Sequence, residues 1–145
     1  MSREILFRAK HIHAMDSNKH LNGTWVHGYL SDKNYIYDKS LDGEFLVDEN
    51  TICQYTGLTD KNGKKIFEGD IVRYGSDIYG KVKFGLYASA FSFSDKNQGF
   101  YVEFQEDGLY RKELGYWRNA VVVVGNIYDN PELLEDKEDK NGEDI

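Results

Sequence analysis

Short runs of β-branched and aromatic residues recur along the whole chain, each closed by glycine, asparagine or aspartate. This rhythm constrains the fold more than any other feature. The chain has 14 Gly against one Pro, so turns are plentiful and ladder-breaking residues are nearly absent. The tightest signal is Lys61-Asn62-Gly63-Lys64, because Asn-Gly tolerates the positive φ that a two-residue hairpin turn requires. A hairpin is expected there, with Asn62 in a left-handed conformation. Asp42-Gly43 predicts a second tight turn.

Around these turns the apolar residues alternate with a period of two. Strands are expected at Ile5–Ala9, Thr24–Leu30, Asn34–Tyr37, Phe45–Val47 and Thr51–Tyr55, then at Gly69–Tyr74, Gly80–Phe84, Phe91–Phe93, Phe100–Phe104 and Ala120–Tyr128. The even spacing suggests a small closed or half-closed barrel, since closure removes exposed strand edges. Helix has weak support: Asn130 and Pro131 can cap a short one. Gly108 and Gly115 interrupt the stripe from Glu106 to Arg118, which is expected to be loop or hairpin.

At 145 residues, with 40% hydrophobic and 14% aromatic content, the chain has enough apolar surface for one packed mainly-β domain over residues 1–134. Residues 135–145 carry six acids and two lysines and are expected to form a disordered acidic tail. The lone Cys53 cannot form an internal disulfide and is expected to be a small buried hydrophobe in a reducing compartment. Arg3, Glu4, Arg8 and Lys10 interrupt any signal-peptide core, and the longest apolar run, Ala120–Val124, is far short of the roughly 20 residues that span a bilayer. A cytoplasmic protein without membrane association is expected.

The stretch Gln54-Tyr55-Thr56-Gly57-Leu58-Thr59-Asp60-Lys61-Asn62-Gly63-Lys64-Lys65-Ile66-Phe67-Glu68-Gly69-Asp70-Ile71-Val72 resembles, without departure, the signature of the YopX-like family of phage and prophage proteins. Phe7–Lys10, Gly23–Tyr29 and Gly125–Leu134 agree, so the resemblance covers residues 3–134. It implies an SH3-like, partly open barrel at about 66–128, with a β-rich segment at about 1–55 packed on it. It also implies a phage or prophage origin and a bacterial host cytoplasm, and it implies no activity.

Chemistry-bearing patterns are sparse. Tyr55, Thr56, Gly57, Asp60, Asn62, Gly63, Glu68, Gly69 and Asp70 cluster in the signature. Turn chemistry accounts for them: the glycines turn, and Asp60 and Asp70 cap backbone N–H groups. A calcium loop starting at Asp60 fails, since its sixth and twelfth positions are Lys65 and Ile71. His11, His13, His20 and His27 lack metal-type spacing, and no nucleophile elbow or phosphate loop is present. No catalytic residue, cofactor or metal is expected. The chain is therefore expected to be a non-enzymatic interaction module binding an unknown host or phage protein, or its own copies, through Trp25, Tyr29, Tyr35, Tyr37 and Trp117. The alternative is a nucleic-acid accessory using a barrel face at Arg73, Lys81 and Lys83, which the formal net charge of −7 disfavours.

Overall fold

A computed structural model describes residues 5–12, 23–89, 94–106 and 108–135. The chain divides into two compact units, Met1–Gly57 and Leu58–Ile145. The expected tail beyond Glu135, the Phe91–Phe93 strand, His13 and His20 lie outside the described residues.

In the first unit β1 (Phe7–Lys10), β2 (Trp25–Asp32), β3 (Tyr35–Asp38), β4 (Gly43–Leu46) and β5 (Cys53–Thr59) form an antiparallel sheet in the order β4-β3-β2-β1-β5. Period-two alternation sends Ala9, Val26, Ile36 and Phe45 to one face, where with Val47 they make a core that Phe7 and Ile52 complete. Asp42, at φ 51°, makes the turn before β4, as the Asp42-Gly43 pair predicts. Buried Asp38 ties β3 to its neighbours. Its carboxylate accepts from the His27 N–H at 2.9 Å and from the Ser40 N–H and hydroxyl. Gly28 is required by close approach, because a Cβ there would lie 1.7 Å from the Tyr37 carbonyl oxygen.

β5 passes out of the first unit through Gly57, which sits inside the strand at φ 86° rather than in a turn as expected. The end of β5 pairs with β6 (Lys65–Phe67) across the Asn-Gly turn. That turn differs from expectation in one respect. Positive φ falls on Gly63 (85°) and not on Asn62, since the Asp60 N–H to Lys64 O and Gly63 N–H to Asp60 O bonds close a longer loop with the glycine in the left-handed position.

The second unit adds β7 (Asp70–Tyr74), β8 (Ile78–Ala88), β9 (Lys96–Phe104) and β10 (Val121–Asn126) in an antiparallel sheet ordered β10-β7-β8-β9. The mainly-β character and scarcity of helix hold, and the strands form open sheets rather than a closed barrel. β8 is longer than expected because the ladder to β9 runs on through the directly paired Gly85 and Gly99. A one-turn helix α1 (Leu114–Trp117) stands where a loop was expected, held by burial of Leu114 and Trp117 in a core with Ile66, Val72, Val82, Val102 and Val121. Pro131–Leu134 forms a 3₁₀ turn behind Asn130. The Asn130 side chain does not cap that turn and instead accepts from the Asn126 N–H at 3.2 Å. No helix among the described residues is long and apolar enough to cross a membrane.

Candidate interaction surface

Strand alternation decides which side chains meet on the first unit's sheet. Arg8 pairs with His27, Lys10 with Trp25, and Tyr29 with Tyr37, while Tyr35 lies two residues along β3 from Tyr37. All of these occupy the face opposite the apolar core. Trp25, Tyr29, Tyr35 and Tyr37 are therefore gathered on one face.

Their geometry is specific. The Tyr29 and Tyr37 rings stack with centroids 5.4 Å apart, and the Trp25 ring carries the Arg8 guanidinium at 4.8 Å and the Lys10 ammonium at 5.6 Å. Tyr29 is 56% exposed and Tyr35 is 37% exposed, while Trp25 and Tyr37 are half-buried. Between Trp25 and Tyr29 lies His27, whose imidazole pKa is lowered by burial and by the charge of Arg8, against the opposing pull of Asp38. The face thus offers aromatic area beside the half-buried Lys10, with the Arg8 guanidinium buried against the Trp25 ring. The cations were not singled out from sequence, although their alternation in Phe7-Arg8-Ala9-Lys10 carries the signal.

The fifth aromatic, Trp117, does not join this face. It is 7% exposed in the second unit's core, with Nε1–H donating to the Arg111 carbonyl at 2.8 Å and with Tyr74, Phe104 and Tyr116 packed edge-on to its ring. Its role here is packing, because a buried indole with a satisfied N–H has no surface to offer.

Lys81 and Lys83 do share one side of β8, and a single carboxylate holds both: Glu103 lies 3.6 Å from Lys81 and 3.4 Å from Lys83. The Glu103 charge raises the Lys83 pKa. The Arg73 Nε–H donates to the Gly75 carbonyl at 3.1 Å.

The signature residues build turns. Oδ1 of Asp60 accepts from the Asn62 and Lys64 N–H groups, at 2.8 and 2.9 Å, and its Oδ2 accepts from the Val123 N–H at 2.9 Å. Asp70 accepts from the Phe67 N–H at 2.8 Å. Tyr55, Thr56, Gly69 and Asp70 are buried, Glu68 is half-buried, and Gly57, Asn62 and Gly63 are exposed. Cys53 is a buried thiol whose Sγ–H points to the Thr51 carbonyl. His11 is buried too, with Nδ1 2.9 Å from the Leu46 carbonyl oxygen. Among the described residues no three His, Cys, Asp or Glu side chains are grouped as metal ligands.

The family model described as YopX protein matches residues 6–135, nearly the whole chain and all of both sheets. The chain belongs to the YopX family. A solved structure similar to this member is protein EF1440 from Enterococcus faecalis, at 26% identity over 92% of this chain and 100% of that one, with a TM-score of 0.45. The comparison with curated proteins finds no match. The matched span contains the stretch from Gln54 to Val72, in which Asp60, Gly63 and Asp70 form the turns described above.

Proposed function

We propose that this YopX-family chain is a non-enzymatic interaction module, encoded by a phage or prophage and acting in the cytoplasm of the bacterial host. It binds a host or phage protein through the outer face of the first unit's sheet. The observation that carries this reading is the grouping of Trp25, Tyr29, Tyr35 and Tyr37 on the face opposite the core, with Tyr29 more than half exposed. Large, rigid aromatic side chains supply contact area at low entropic cost, which is why they are favoured at protein interfaces. The half-buried Lys10 beside Trp25 suits a partner with an acidic rim. The nucleic-acid reading draws little from the β8 face, where Glu103 offsets the two lysines.

The test is affinity capture of the tagged protein from host lysate, with and without nuclease, beside the Tyr29→Ala and Tyr35→Ala variants. A discrete protein retained after nuclease and lost with the variants supports the reading. Recovery of nucleic acid, with the proteins lost on digestion, overturns it.

A further inference from the structure

The β8 strand outruns its neighbour. β7 pairs with it only from Ile78 to Lys81, and the last bond on that side runs from the Gly69 N–H to the Val82 carbonyl at 2.8 Å. Beyond Val82, β8 continues to Ala88 paired only with β9.

Hydrogen-bond direction shows which backbone groups this leaves open. The Val102 N–H points away from β8 and donates to the Lys112 carbonyl, whereas the Gln105 N–H donates to Tyr79 and the Ser89 N–H to Asp95. Odd-numbered residues of β8 therefore bond β9, and even-numbered ones point to the β7 side. On that side the N–H and C=O groups of Phe84, Leu86 and Ala88 meet no strand among the described residues. Their side chains share a face, and it is apolar and exposed: Phe84 is 51% and Leu86 67% accessible. Proteins normally blunt such an edge with proline, a bulge or a charge, and from Phe84 to Ala88 none is present.

We propose that this edge is a self-association surface, on which the same edge of a second copy pairs antiparallel with Leu86 opposite Leu86. The edge is complementary to itself in that register. Phe84 faces Ala88, large against small, and Lys83 faces Ser89, so no like charges oppose each other. Three pairs of outward-pointing residues exchange main-chain bonds, and four exposed apolar side chains are covered. A pairing this short lies below the roughly 1,200 Å² of stable complexes, so the dimer is weak, with a Kd on the order of 10–500 µM. This surface belongs to the second unit and is independent of the aromatic face proposed above.

Analytical ultracentrifugation from 5 µM to 1 mM tests it, together with amide hydrogen exchange at both ends of that range. The expected result is a monomer–dimer equilibrium with concentration-dependent protection at the Phe84, Leu86 and Ala88 amides. The Leu86→Pro variant removes only an outward N–H and no bond to β9, so the Kd rises at least tenfold. Leu86→Lys sets two like charges face to face and does the same without altering the backbone. A monomer throughout the range, or a dimer that survives both variants or leaves those three amides unprotected, overturns the proposal. Protection of those amides only when another protein is added would assign the edge to a foreign strand and equally overturn it.

Discussion

The carboxylate of Asp60 ties its own turn to β10: Oδ2 accepts from the Val123 N–H at 2.9 Å while Oδ1 accepts from the Asn62 and Lys64 N–H groups. Asp60 is 5% exposed, so these bonds form away from water. Charge-assisted bonds of this kind are worth more than neutral ones, and a donor left unpaired when buried is costly. Asp60→Ala is expected to destabilise the protein by about 2–4 kcal/mol. Urea denaturation followed by far-UV circular dichroism checks it, and a loss under about 1 kcal/mol would contradict the account.

Acid should weaken the fold in two steps. Burial pushes the Asp38 and Asp60 carboxyls up. The opposing hydrogen bonds outweigh it, from Ser40, His27 and Leu41 to Asp38 and from Val123, Lys64 and Asn62 to Asp60, and both pKa values end below the ordinary 3.8. Their stabilisation is complete above 3.8 and is lost as pH falls through the lower folded values. His27 titrates earlier. With its folded pKa lowered from 6.5, the unfolded state takes up the proton first, so stability declines as pH drops below 6.5 toward that folded value. The urea midpoint measured from pH 8 to pH 3 should show both declines, and His27→Gln should remove only the first.

Gly28 offers a backbone test. A methyl group there would meet the Tyr37 carbonyl, so Gly28→Ala must push β2 and β3 apart where Tyr29 stacks on Tyr37. A cost of about 2–4 kcal/mol is expected, at the level of other severe steric changes. Partner capture through the aromatic face should fall with it. Thermal melts of the variant and wild type give the comparison.

The two tryptophans should differ optically. Trp117 is buried and hydrogen-bonded, while Trp25 is half-buried beside Arg8 and Lys10. Trp117→Phe is expected to remove the blue-shifted part of the emission and to cost about 1–3 kcal/mol through the lost bond to Arg111 and the vacated volume. Trp25→Phe should remove the red-shifted part at little cost in stability.

Much of the fold was legible because it rests on period-two alternation. Phe7, Ala9, Val26, Ile36 and Phe45 announce a buried face, and the same alternation puts Trp25 with Tyr29 and Tyr35 with Tyr37. Pairing between strands is not written locally, so the union of these residues with Arg8 and Lys10 on one face needed the register. Trp117 misled because Gly115 hides a single helical turn, whose formation depends on tertiary burial and not on propensity. Asn62 misled because an Asn-Gly pair serves more than one loop length, and the bond from Asp60 to Lys64 chooses between them.

The position of Glu103 between Lys81 and Lys83 bears on how this surface can change. Two positive charges on one strand are half offset by one negative charge on the next, leaving a local net charge of +1 that depends on a single codon. Glutamine at that position would double the local net charge, and lysine would triple it, with no demand on either core. A weakly cationic patch is thus one substitution from attracting polyanions strongly, while every turn and strand is kept.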